Sequence, residues 1–131
     1  MCMTDYDAPD FYFADSRKAR KEHKCDECRR AIRPGEVYQY VSGKWDGRVG
    51  VYKTCLHCEV TQKWLRRECH GFVHGMTAED IEEHASDYRR MDLYRLAAGM
   101  RRKWLTRKGE RMKIPAVPRG LGKKDADRLS A

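Results

Sequence analysis

The sequence predicts a small α+β protein organised around a metal-binding finger. Three observations carry that expectation: two Cys-x-x-Cys pairs, a strand–turn–strand pattern between them, and helical periodicity after them. The chain has 131 residues, 40% apolar and 37% charged. So low an apolar share argues against a large conventional core.

The pairs are Cys25-Asp26-Glu27-Cys28 and Cys55-Leu56-His57-Cys58, with 26 residues between them. One such turn presents two sulfurs to an ion at ~2.3 Å each, and two turns complete a tetrahedron. Pro34-Gly35 marks a turn, and residues 36–41 are rich in β-branched and aromatic side chains. Residues 42–47 read as a loop and 48–53 as the return strand, with Val49 and Val51 on one face. Leu56, Val60 and Trp64 then recur at helical spacing. That helix is expected to stop near Cys69-His70-Gly71, where Gly71 suits a left-handed C′ position.

Knuckle, hairpin and ligands at a helix start form the layout of a treble-clef zinc finger, here over residues 23–68. Cys25, Cys28, Cys55 and Cys58 would close the shell of one Zn²⁺ ion, making it structural rather than catalytic. Such binding supplies ~10–16 kcal/mol toward folding. Lys24, Arg29, Arg30 and Lys53 flank the ligands and would offset the charge of four thiolates. Disulfides are the alternative. The run Met1-Cys2-Met3-Thr4-Asp5-Tyr6-Asp7 has neither a basic n-region nor an apolar h-region, so no secretory leader and a reducing cytoplasm are expected. A thioredoxin-like redox role would need a βαβ context that the pattern lacks.

Residues 77–108 read as a helical extension. Thr77 and Asp80 make a capping pair, acids crowd the first turns, and Arg89 and Arg90 fall in the last. Ile81, Ala85 and Tyr88 form the apolar face, and a break is expected at Met91-Asp92. Leu93, Leu96, Ala97, Met100 and Trp104 restart the period as a core-facing stripe, in a second helix running to near Gly109. Weaker ligand candidates are Cys69, His70 and His74, with His23 or Cys2. These are expected to be a polar connector. His84 with Asp80, Glu83 and Asp87 is expected to be a solvated acidic face.

Charge is unevenly spread along the chain. The net +8 lies wholly in residues 101–131, which carry 11 Lys/Arg against 3 Asp/Glu; residues 1–100 carry 17 of each. Residues 1–22 form an acidic, aromatic and then basic lead-in expected to start irregularly, and 109–131 a basic flexible tail. Arg101, Arg102, Lys103, Arg107, Lys108, Arg111 and Lys113 make a basic run suited to nucleic-acid phosphates without sequence choice. Lys63, Arg66 and Arg67 add charge on the finger helix, and Tyr38, Tyr40, Trp45 and Tyr52 offer either stacking surfaces or hairpin packing. The alternative partner is an acidic surface on a host protein. No enzyme is expected: residues 29–54 contain no His for an HNH-type site, and no Ser/His/Asp set or phosphate-cradling glycine loop stands out. No run approaches the ~20 apolar residues of a membrane span.

Several stretches resemble one family. They are Arg17-Lys18-Ala19-Arg20-Lys21-x-His23-x-Cys25-x-Glu27-Cys28, Ile32-x-Pro34-Gly35-Glu36-x-Tyr38, Gly43-x-Trp45-Asp46-Gly47 and Lys53-Thr54-Cys55-x-x-Cys58. Together they resemble small zinc-finger proteins encoded by bacteriophages and prophages. Leu93-Tyr94-Arg95-Leu96 and Gly99-Met100-Arg101-Arg102-Lys103-Trp104 are similar to that family's helical half. The likeness spans about residues 17–105. It implies a zinc fold, a phage origin and a place in the host bacterial cytoplasm, and it carries no settled activity.

Overall fold

An Asp46-Gly47 turn sets the central hairpin. Both residues have positive φ, 51° and 77°, the two-residue geometry whose twist matches that of paired strands. The computed structural model describes residues 11–130, with side chains over 11–127. The hairpin strands are β4 (Val37–Trp45) and β5 (Arg48–Cys55), and β1 (Phe11–Lys18) adds antiparallel to β4, giving the order β1-β4-β5. A short ladder of β2 (His23–Lys24) and β3 (Ala31–Ile32) brackets the first cysteine pair.

Two sequence expectations change here. Residues 42–45, read as loop, continue β4 opposite residues 48–51. The lead-in is also not irregular where it is described: residues 11–18 pair in register with 44–37. Every residue of β1 is exposed, so it is held by its backbone ladder and leaves no hydrophobic alternation to read. Asp5, Asp7, Asp10 and Cys2 lie outside the described residues.

Helix α1 (Leu56–Cys69) starts inside the second cysteine pair, with Cys55 as its N-cap residue. It buries Val60, Trp64 and Leu65. His70 takes the left-handed position at its end (φ 63°), one residue before the glycine expected there. Helix α2 (Thr77–Tyr88) buries Ile81, Ala85 and Tyr88 as the periodicity requires. Its break comes at Arg89, left-handed at φ 51°, so that Met91 already opens α3 (Met91–Arg101). The core joins Ile32, Trp64, Leu65, Ile81 and Leu93 with Leu96, Ala97, Met100 and Trp104.

The second extension helix does not reach Gly109. It ends at Arg101; Lys103 and Trp104 turn left-handed (φ 57° and 56°), and residues 105–111 fold back through a Leu105–Arg111 bridge. Trp104 folds back over the helix end. Its ring lies on the backbone of Gly99, where a Cβ would overlap it, and residue 104 is drawn out of the helix.

The segment read as a flexible tail is laid across the body instead. Trp64 Nε1 donates to the Arg119 carbonyl (2.9 Å), Arg67 to that of Pro118 (2.7 Å), and Leu121 N–H to Glu68 (2.7 Å). Beyond them α4 (Lys123–Ser130) buries Asp125 completely. Among the described residues no helix is long and apolar enough to cross a membrane.

Candidate metal centre

Each cysteine pair is positioned by backbone. In the first knuckle Arg29 N–H donates to the Cys25 carbonyl (3.0 Å) and Cys25 N–H to that of Arg30 (2.9 Å), with Arg29 left-handed at φ 67°. Asp26 bolts this turn to β5: its N–H donates to the Lys53 carbonyl (2.8 Å), and its carboxylate accepts from Lys53 N–H (2.7 Å). The second pair sits where β5 runs into α1.

The four sulfurs converge. Cys25, Cys28, Cys55 and Cys58 are buried, none is disulfide-bonded, and their Sγ atoms all lie within 4.8 Å of one another. Cys28 and Cys55 stand 3.8 Å apart. A tetrahedron of sulfurs at ~2.3 Å from a central ion has an edge of about 3.8 Å. The donor set and its spacing therefore fit one metal ion. Contacts with the neighbouring sulfurs lower the pKa of Cys25 and Cys55, while the same neighbours, followed by burial, push Cys28 and Cys58 up. Four thiolates this close need a cation among them.

The surrounding groups are polarised toward the sulfurs. Cys55 N–H donates to Cys25 Sγ (3.4 Å), and the Trp104 indole N–H donates to Cys58 Sγ (3.3 Å) from 46 residues away. Of the four cations expected to offset the thiolates, Arg30 is the one buried beside Cys55. It makes a fork to Glu36 (2.7 and 3.1 Å), which also accepts from Arg111 (2.8 Å). Burial alone would raise the Glu36 pKa; Arg30, the Arg33 N–H and Arg111 together outweigh burial and hold it below the usual range.

Three contacts tie the centre to distant segments, and periodicity shows none of them. Glu27 accepts from the N–H groups of Gly75 (2.9 Å) and Thr77 (3.3 Å), and from Gln62 (2.9 Å). It thereby supplies the cap that Thr77 and Asp80 were expected to make. His57 Nε2 donates to the Met112 carbonyl (2.6 Å). Trp104, read as part of a helical core stripe, lies in that core but outside the helix, and its indole also reaches the cysteine cluster. The indole bond has a measurable consequence. Trp104→Phe keeps an aromatic ring and loses the N–H donor, so metal affinity is expected to fall about 10- to 100-fold. Competition against a chromophoric chelator measures this, with circular dichroism confirming the fold; unchanged affinity would show that the bond has no influence on the site.

The weaker ligand candidates separate. His74 stacks on Tyr52 (4.2 Å between ring centroids, 6° between planes) and meets Trp45 and Phe72 edge-on. Burial first, and then Arg66, lower its pKa to about 4. Cys69 Sγ lies 3.0 Å from His84 Nε2, while His70 is exposed at the α1 terminus. Asp80 and His84 do not belong to a solvated acidic face. Both are buried, with His84 Nδ1 donating to the Asp80 carbonyl (2.8 Å) and standing 3.1 Å from its carboxylate. Trp64 packs against this imidazole, so the pair lies on the α1 side of α2 while Glu83 stays exposed. Among the described residues the four cysteines are the one group placed to hold a metal.

The basic run is divided rather than continuous. Arg101 pairs with Glu79 and Glu82 (3.7 and 3.3 Å), and Arg111 with Glu36. Arg102, Lys103, Arg107, Lys108 and Lys113 are exposed and make no ion pair among the described residues. On the hairpin, Tyr38 is buried, while Tyr40, Trp45 and Tyr52 are half-buried; Trp45 and Tyr52 pack edge to face at 5.6 Å. Fold and site define a small α+β protein with a buried four-cysteine cluster placed to hold a metal ion. No family model, curated protein or solved structure matches the chain.

Proposed function

We propose that the chain is a non-enzymatic, treble-clef zinc protein that binds nucleic acid through its basic C-terminal region. Cys25, Cys28, Cys55 and Cys58 would hold one structural Zn²⁺; the observation that supports this is four buried sulfurs within 4.8 Å of one another, a number that closes a tetrahedral shell. The order of knuckle, hairpin and helix supports the treble-clef reading. The nucleic-acid reading rests on Arg102, Lys103, Arg107, Lys108 and Lys113, cations that have no ion pair among the described residues. A role as a phage accessory protein rests on the sequence resemblance alone.

Two measurements test this. Elemental analysis of native protein is expected to return one zinc per chain. A salt titration of binding to mixed-sequence duplex and single-stranded DNA is expected to show affinity falling steeply with salt. Replacing Arg107, Lys108 and Lys113 by Gln should flatten the slope by about 0.9 for each lost phosphate contact. No binding at low salt by zinc-loaded protein would remove the nucleic-acid reading and favour docking on an acidic protein surface.

A further inference from the structure

The segments after β1 and after β3 are clasped together: Gly35 N–H donates to the Ala19 carbonyl (2.7 Å) and Ala19 N–H to that of Glu36 (2.9 Å). The clasp sets two surface hollows side by side, with Gly35 on the rim of both. One, of about 690 Å³, is lined by Arg29, Arg30, Arg33, Lys103 and Arg111, with Glu36 as its single acid. The other, of about 1030 Å³, is lined by Arg17, Lys18, Arg20 and Lys21, and by no acid. Glu36 is already matched by Arg30 and Arg111, and Arg17 by Asp15 together with the Tyr40 ring. Lys18, Arg20, Lys21, Arg29, Arg33 and Lys103 are exposed and have no ion pair among the described residues.

We infer that these two hollows form one phosphate-binding track, and that a nucleic-acid backbone crosses it at Gly35. This inference rests on the nucleic-acid reading above and moves its centre from the C-terminal run to the knuckle side of the fold. The count of charges along the sequence conceals the track, because among the described residues Glu36 is the one acid that lines the hollows, while Glu79, Asp80, Glu82, Glu83 and Asp87 are gathered on α2. Gly35 has φ +89°, and nothing lies within 4 Å of where its Cβ would point, so the rim between the hollows is bare backbone. A chain of phosphates passes over such a rim without meeting a side chain. An acidic protein partner is the poorer fit. Protein interfaces centre on a buried apolar or aromatic anchor, whereas the aromatic side chain lining the track, Tyr38, is itself buried in the core. Flexible cations around a bare ridge instead suit a polymer with regularly spaced charge and no shape of its own.

The test uses the full zinc-loaded chain and fluorescein-labelled duplex DNA of mixed sequence, read by anisotropy over a salt series. Arg20→Gln, Lys21→Gln and Arg33→Gln are combined in one variant, and Arg107→Gln, Lys108→Gln and Lys113→Gln in another. Zinc content and melting temperature confirm that both fold. The track predicts that the first variant flattens the salt slope by about 0.9 for each phosphate contact removed, and by more than the second does. In the wild-type chain, Lys18 and Lys21 are expected to be protected from acetylation when DNA is bound, a readout independent of any variant's folding. If the first variant binds as the wild type does and those lysines stay reactive, the track is wrong while the C-terminal reading stands. If the wild-type chain fails to bind at low salt, both are wrong.

Discussion

Stripping the metal from the loaded protein is expected to unfold it. The ladder around the first knuckle is only two residues per strand, and Ile32 is its one fully buried apolar side chain. Structural Zn²⁺ contributes ~10–16 kcal/mol in small fingers, against a total stability of about 5–15 kcal/mol for a typical domain. Loss of the ion therefore exceeds what the remaining core of α1, α2 and α3 can offset. Cys58→Ser is expected to act in the same direction, because it removes a ligand and the acceptor of the Trp104 bond together. Far-ultraviolet circular dichroism and thermal melting with and without chelator measure the effect. Retention of the native spectrum and melting temperature in metal-free protein would refute a structural metal. The effect has a definite pH direction: the ligands bind as thiolates, so protons compete with the metal and the stabilisation is lost as pH falls.

The next largest effect is expected from Asp125→Asn. Asp125 is fully buried and accepts from Gly122 N–H (2.8 Å), Arg119 (3.0 Å) and Arg90 (3.4 Å). Arg90 is itself buried, forks to Asp92 (2.6 and 2.9 Å) and holds the Arg119 carbonyl (2.9 Å). Arg90 keeps its fork to Asp92 and Arg119 is largely exposed, so the cost is that of the lost charge-assisted bonds to a buried carboxylate, about 1.5–3 kcal/mol. Residues 113–124 are expected to come away from α1 and α3, and trypsin to cut at Lys113, Arg119, Lys123 or Lys124 far faster than in the wild type. Bound metal should stay at one ion per chain. Equal resistance of the two proteins would mean that Asp125 does not anchor the segment. Burial alone would raise the pKa of this carboxyl; the Gly122 N–H and the Arg119 and Arg90 guanidiniums outweigh burial and hold it below the usual carboxylate range. Its contribution is complete above the unfolded pKa of about 3.9 and is lost as pH drops through the lower folded value.

What could be read from the sequence was local. The cysteine spacing identified four residues that the fold brings together, and the alternating run between them identified the hairpin, because both signals are carried by neighbouring residues. The groups that complete the site are not neighbours. Glu27 meets residues 48 and 50 positions away, and His57 meets Met112 at 55. The C-terminal segment was illegible for another reason: its docking uses the carbonyls of Pro118 and Arg119, which any residue would offer, while its Gly, Pro and Arg content reads as solvated chain. Asp80 and His84 misled because charge is the usual mark of an outer face, and here the i,i+4 pair is turned inward against Trp64.

In many small fingers the two residues inside a Cys-x-x-Cys turn are spacers. Here three of the four such positions hold another part of the molecule: Asp26 grips β5, Glu27 caps α2 and His57 secures the loop that returns Met112 beneath Trp104. The finger is consequently not an interchangeable part. A chimera given foreign Cys-x-x-Cys turns would keep its four sulfurs, yet leave a helix start bare and the Met112 carbonyl without its partner.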